Sequence, residues 1–433
     1  MSDKKIGPLR ATFLVAGNMI GAGVYLLPAS LGAVGSVSIL GWIVTGVGAL
    51  LLALVFSALF RLRPAAHGVI AQVRDGLGGF FGFQSSLLYW IGCWVGNVAI
   101  AVAASGYLAS FFPALRTAPA AAASTIGLIW LVAALNFFGA RRVTDFKALA
   151  LVIGLAPVLG VAVFGWIAFD ADVFIASWNV SGRTDMAAVP ATFALIFWAF
   201  LGLESAAVAA AVVRNPGRDV PIATISGTAL AACIYIAASG AMMGLLPAAQ
   251  LAASTAPFAD VAARWVGPIA GALVAVCAIL KAVGTLSGWA LVTAEASRSG
   301  AAAGVFPALF HESEGGPPRR NLIIVAALMS IVALLTASPR LAAQFTYLVN
   351  LSVLPFLLVF TYCCVSLWRL SAASRARGLL RLVAALAAAF CVWAIAATDI
   401  VQIALVAAVA VLALPMYLFM KPTMAANAAE RAR

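Results

Sequence analysis

The apolar residues of this chain fall into long, nearly charge-free runs, and that patterning constrains the fold more than any single motif. About 18 apolar residues in a row can cross the hydrocarbon core of a bilayer as a helix. Twelve such runs can be read, at about 11–32, 36–60, 79–112, 121–139, 147–169, 190–212, 221–246, 266–297, 321–337, 343–368, 377–397 and 400–420. Hydrophobic residues make up 64% of the 433 and charged residues only 9%, too few to cover a soluble core of this size. The runs are continuous where a barrel strand would alternate, which excludes an outer-membrane barrel. The expectation is an all-α integral membrane protein of twelve transmembrane helices, with residues 1–433 forming one transmembrane domain in the lipid bilayer.

The net charge of +12 would point to nucleic acid in a soluble protein. Here the basic residues alternate between sides. Arg61, Arg63, Arg74, Arg141, Arg142, Lys147, Arg214, Arg218, Arg298, Arg319, Arg320 and Arg369 fall on one side, and Arg116, Arg183, Arg264 and Arg340 on the other. The richer side is cytoplasmic by the positive-inside rule, and an even number of spans puts both termini there. The charge therefore belongs to orientation, and no nucleic-acid partner is expected. The opening MSDKKIGPLR has no small-residue cleavage site, so residue 1 is expected to be a true terminus. The six cysteines are scattered through the runs, and His67 and His311 sit in loops without partner ligands. That spacing argues against a disulfide framework and a metal site. No cofactor is expected either.

Two runs are interrupted. "GNMIGAGVY", Gly17 to Tyr25, puts three glycines into the first run, each costing about 1 kcal/mol against alanine in a helix. The sixth carries Gly202 just before Glu204 in "FWAFLGLESAAVAA". The two lie five runs apart, as corresponding members of two five-helix repeats would, about 11–169 and 190–368. Paired interruptions in two halves point to a transporter binding site. A break frees backbone N–H and C=O groups at mid-membrane depth, tolerable where they line a cavity, and half-helix N-termini there attract a carboxylate.

Ionisable residues inside spans are functional hypotheses by default, and Glu204 and Lys281 are two such. Tyr89, Cys93 and Asn97 recur four apart and share a helix face, as do Lys281, Thr285 and Trp289. Trp198 immediately precedes the sixth-run interruption. Amides for a carboxylate and aromatic faces for a cation suit an amino acid. Trp90 and Trp94 read equally well as interfacial anchors. Nothing supplies a nucleophile, metal or cofactor cradle beside Glu204 and Lys281, so an enzyme is not expected.

The motifs "GNMIGAGVY" with "LLPA", "YWIGCWVGN", "FWAFLGLESAAVAAAVVRNPGRDVPIAT" and "GTLSGWALV" resemble the amino acid–polyamine–organocation (APC) transporters. Within that superfamily the likeness is to the bacterial basic amino acid/polyamine antiporters, particularly those for arginine/agmatine and ornithine/putrescine. The resemblance implies the leucine-transporter fold: a 5+5 inverted repeat with helices 1 and 6 unwound, and two extra helices at about 377–420. It implies a sodium-independent antiporter in the bacterial inner membrane, exchanging arginine or ornithine for agmatine or putrescine. A homodimer is left open. By the same resemblance the backbone at Met19, Ala22 and Gly23 meets the substrate's carboxylate or amine, and Cys93 and Asn97 reach its polar end. Trp198 stacks on the cation and Trp289 on the aliphatic stem, while Tyr89 and Glu204 form a pH-sensitive gate. Two residues depart from the pattern: Ala22 stands in place of a serine, and Lys281 in place of a small residue. Lys281 is expected to put its ammonium where sodium-coupled relatives hold sodium, against first-helix carbonyls near Gly17–Ala22. The competing expectation is a proton-coupled permease or exporter of neutral amino acids, with Glu204 or Lys281 carrying the proton.

Overall fold

With no water to satisfy backbone groups in a bilayer, apolar runs must hydrogen-bond internally, and a single chain does so by coiling. The computed structural model describes residues 6–64, 66, 68–137, 140–204, 213–313, 316–338 and 340–431, with side chains at all of these except 140–149, 151 and 425–431. His67 and the side chains of Arg141, Arg142 and Lys147 thus lie outside the described part.

The first run divides into α1 (Pro8–Met19) and α2 (Leu27–Gly32), with a 3₁₀ turn at Ala22–Tyr25 between them. Next come α3 (Ser38–Leu62), α4 (Val69–Leu77), α5 (Gly79–Leu108), α6 (Ala118–Asn136) and α7 (Ala140–Phe164). The short α8 (Ala171–Ala176) and α9 (Asp185–Ala188) precede α10 (Phe193–Phe197). The order continues with α11 (Pro216–Leu245), α12 (Ala248–Ala253), α13 (Pro257–Trp265) and α14 (Pro268–Ala302). It closes with α15 (Arg319–Leu335), α16 (Leu341–Leu370), α17 (Arg377–Ala396) and α18 (Ile400–Arg431). The described residues contain no strand.

Eight of the described helices are long and apolar enough to cross a membrane: α3, α5, α6, α11, α14, α16, α17 and α18. The other four runs coincide with α1–α2, α7, α10 and the 17-residue α15. Several boundaries differ from expectation. Pro216 takes the first helical position of α11, where a missing N–H costs nothing, so the helix starts ahead of Pro221. α14 runs on to Ala302, beyond the expected end at 297, and the connection after it holds a 3₁₀ turn at Ala308–Phe310. α4, α12 and α13 occupy connections that composition alone marks only as gaps. The polar 169–190 connection is ordered by its own side chains: Asp170 accepts from the Asp172 and Val173 amides and caps α8. Hydrogen bonds from Trp178 and Asn179 hold the exposed Asp185 carboxyl below its ordinary range.

Burial separates the centre from the lipid face. In the apolar stretch of α5, 83% of residues are buried, against 11% in α18. Ile167, Leu335 and Phe419 are each at least 80% exposed, which suits a hydrocarbon solvent and not water.

The interruptions are real breaks, and they use glycine for different reasons. After α1, Ile20 leaves helical geometry (ψ 72°) and Gly21 is extended (ψ −172°), with φ values any residue can adopt. What demands a glycine here is space. A Cβ placed on Gly23 would lie 1.6 Å from the indole ring of Trp198. In the sixth run, α10 tightens into a 3₁₀ turn at Trp198–Phe200, Leu201 turns extended, and Gly202 adopts φ +104°. That conformation is open to glycine and strained for other residues. A Cβ on Gly202 would lie 3.5 Å from the Asn18 carbonyl oxygen, so the two breaks face each other.

Gly202→Ala meets no close atom, so its cost is conformational, about 1–2 kcal/mol. Its unfolding temperature in detergent should fall, while Gly217→Ala, where a Cβ meets nothing within 4 Å, should match the parent. Equal temperatures for all three proteins would count against a glycine-dependent second break.

Candidate substrate-binding site

Ending a helix inside a membrane strands carbonyls that need donors. Tyr235 of α11 carries one within reach of both breaks. Its hydroxyl lies 2.8 Å from the Met19 carbonyl and 2.9 Å from the Ala199 carbonyl, in a fully buried position. A phenol has one proton, so it serves one of these oxygens at a time and leaves the other capacity for a further donor. Trp42 and Phe200 pack around the Tyr235 ring and fix its direction.

The space between the breaks is a cavity of about 60 Å³. The first break lines it with Asn18, Met19, Gly21, Ala22, Gly23 and Val24, and the second with Trp198, Ala199 and Leu201. Gly92, Cys93, Gly96, Asn97 and Ile100 of α5, Thr285 and Trp289 of α14, Tyr235 and Phe356 complete it. None of the described lining residues carries an acidic or basic side chain. A cation here meets indole faces and carbonyl oxygens; a carboxylate meets amides and side-chain dipoles.

The walls are cross-braced. The Asn97 amide is 3.4 Å from the Thr293 hydroxyl, which itself donates to the Trp289 carbonyl at 2.7 Å. Asn136 of α6 donates to the Ser287 carbonyl of α14 at 3.2 Å. The Trp198 indole lies over Gly23 and meets Phe345 edge-on, with centroids 5.4 Å apart.

All seven residues expected to contact substrate, namely Met19, Ala22, Gly23, Cys93, Asn97, Trp198 and Trp289, come together in this one cavity. Tyr89 and Glu204 lie next to it. The Tyr89 hydroxyl donates to Glu204 Oε1 at 3.0 Å, and the Gly202 amide donates to Oε2 at 2.9 Å. The Tyr89 ring meets Phe356, itself a cavity wall, edge-on at 4.9 Å. Lys281 is not in the lining, although Thr285 and Trp289 on its helix face are. It is buried, with its stem against Gly154 of α7, and the carbonyl of that same glycine accepts the Tyr25 hydroxyl. Trp90 is an internal packing residue, set against Phe306 and Phe310, and not an interfacial anchor.

Sequence reasoning missed Tyr235 and Phe356. For Tyr235 a signal existed: a phenol in the middle of an apolar run is far from either interface, where tyrosine usually sits. Phe356, in an apolar run with many phenylalanines, carried none.

Residues 6–425 match the amino acid permease family. The chain belongs to that family. Among relatives of this permease is the cadaverine/lysine antiporter of Escherichia coli (strain K12), 38% identical over 374 residues, covering 85% of this chain and 84% of the relative. The putrescine transporter PotE of the same strain is 34% identical over 354 residues, covering 81% of this chain and 80% of the relative. PotE of Haemophilus influenzae is 34% identical over 363 residues, covering 82% and 83% respectively. The permease thus belongs with transport proteins.

Tyr235→Phe removes the donor shared by Met19 and Ala199 and leaves the packing of the ring in place. Two buried carbonyls lose a hydrogen bond worth about 1–3 kcal/mol. The unfolding temperature of the permease should drop, with the backbone amides flanking both breaks losing protection in hydrogen exchange together. Loss of protection at one break alone would show that the hydroxyl serves only one of them.

Proposed function

We propose that this permease is an antiporter that exchanges a basic amino acid for its decarboxylated amine by alternating access. In this reading twelve spans form two inverted five-helix repeats, about 11–169 and 190–368, with 377–420 outside them and both termini cytoplasmic. The observation that carries it is the cavity to which both broken segments and two indoles contribute. The relatives that act on lysine and cadaverine or on putrescine support the same solute class. Lysine and cadaverine therefore join arginine, ornithine and their amines as candidates.

Freed amides near Ala22 and Gly23 take the carboxylate, and freed carbonyls near Met19 take the α-ammonium. Cys93 and Asn97 border the polar end, Trp198 faces the distal cation and Trp289 the methylene stem. Alternating access requires the cavity walls to move, and Trp198 is the natural mover, because its ring fills the slot over Gly23. Lys281 supplies a fixed positive charge in place of sodium, so exchange runs equally in sodium-free buffer.

Counterflow in proteoliposomes with lysine, ornithine, arginine and their amines, with and without sodium, tests the reading. Uptake confined to neutral amino acids would replace it with the neutral permease. Trp198→Leu and Trp289→Leu should each weaken binding of the transported cation by about 1–2 kcal/mol, roughly five- to thirtyfold. Unchanged calorimetric affinity in both would take the indoles out of the site.

Glu204 works as a proton-linked gate. As a carboxylate it accepts from Tyr89 and from Gly202. Protonation turns one acceptor oxygen into a donor, and the Tyr89 contact must then rearrange. Because the Tyr89 ring touches the cavity wall at Phe356, the proton is felt at the site. Glu204→Gln keeps the shape and cannot titrate. Its exchange rate should lose most of its pH dependence at nearly unchanged affinity; a parental pH profile would remove Glu204 from the gate.

A further inference from the structure

A second, much smaller cavity lies on the other side of Glu204. It measures about 10 Å³, and its walls are Phe56 and Phe60 of α3, Val69 and Gln72 of α4, Glu204, and Thr224 of α11, with Gly68, Leu203 and Val220 at its margins. That is about the space one water needs, and a buried water also needs at least two polar partners. Thr224 is already engaged, donating to the Val220 carbonyl of its own helix at 2.8 Å. Gln72 is different. It is 2% exposed, and its Oε1 has no hydrogen-bond partner among the described residues. An unpaired buried amide oxygen is costly, so a native chain keeps one where something fills it.

We propose that a single water in this cavity joins Gln72 Oε1 to the Glu204 carboxyl, and that it is the route by which Glu204 gains and loses its proton from the α4 side of the membrane. This rests on the reading of Glu204 as the gate and adds to it. The Gly202 N–H can only donate, and the Tyr89 hydroxyl can accept from the neutral acid only by giving up its bond to Oε1, so neither holds the acid as it holds the carboxylate. The small cavity offers an acceptor. The protonated carboxyl donates to the water, and the water donates to Gln72 Oε1. In the ionised state the water turns and donates to the carboxylate. The only bonds that change are O–H bonds: a proton arriving from bulk water passes to the bridging water, which hands one on to Glu204, and release reverses the order.

Among the described residues, the titratable groups that interact with Glu204 are Tyr89 and Cys93 on α5 and Cys363 on α16. α3, α4 and α11 present Phe56, Phe60, Val69, Gln72, Val220 and Thr224, none of them titratable. α4 itself lies between Arg61 and Arg63 at one end and Arg74 at the other, on the basic side of the chain. On the orientation proposed above, this route would face the cytoplasmic side.

Infrared difference spectroscopy on the reconstituted full chain tests this without reference to any substrate. The carboxyl C=O band that titrates in the parent and disappears in Glu204→Gln belongs to Glu204; absence of such a band would refute the gate itself. In Gln72→Leu the neutral acid loses its acceptor. The band should move to higher frequency. The ionised acid loses the water's charge-assisted hydrogen bond and gains an apolar neighbour, so the titration midpoint should rise by about one pH unit, a tenfold change in proton affinity. Gln72→Glu places a second carboxylate near the first and should raise the midpoint as well. A Glu204 band with the parental frequency and midpoint in folded Gln72→Leu would overturn the proposal. Should that variant fail to fold, an unmoved midpoint in Gln72→Glu would do the same.

Discussion

A lipid interior offers no spare hydrogen-bond partners, and every distinctive feature of this permease can be traced to how it meets that constraint where two helices stop short. The Tyr235 hydroxyl, set between the Met19 and Ala199 carbonyls, ties the two stops to each other and to α11. Without such a tie each break would be a separate defect. With it, the breaks share one cavity, and the polar backbone that makes them costly becomes the recognition surface. The neighbouring carboxyl of Glu204 takes up the Gly202 amide released by the second break in the same manner.

Much of this was legible in the chain. The long apolar runs set the helices, and the glycines of "GNMIGAGVY" and Gly202 marked both breaks within a residue or two. Helical spacing put Cys93 with Asn97 on one wall and Thr285 with Trp289 on the opposite one. The rest depends on contacts between elements remote in sequence, which no periodicity encodes. Gly23 reads as a helix breaker, and only the structure shows that its essential property is the room it leaves for Trp198. Lys281 shares a helix face with Trp289, yet two turns of helix carry it beyond the cavity to Gly154. α4, α12 and α13 are too short for a pattern to declare them.

The division of polar chemistry also follows from the fold. The described lining of the substrate cavity has no charged side chain, so its affinity for ions comes from backbone dipoles and indole faces, which are fixed in sign and insensitive to pH. The buried carboxyl of Glu204 lies beside this lining and is joined to it through Tyr89 and Phe356.

The seating of Trp198 over Gly23 carries a consequence for how such a permease can diversify. A side chain of any size at position 23 would collide with the indole, so that position cannot be used to retune selectivity. The backbone at both breaks is equally committed, because its geometry holds the cavity together. On the reading proposed above, variation in substrate range falls to the unbroken helices, at Cys93, Asn97 and Thr285. In evolutionary terms the broken segments are the frozen part of the site, and the unbroken helices are where new specificities can arise.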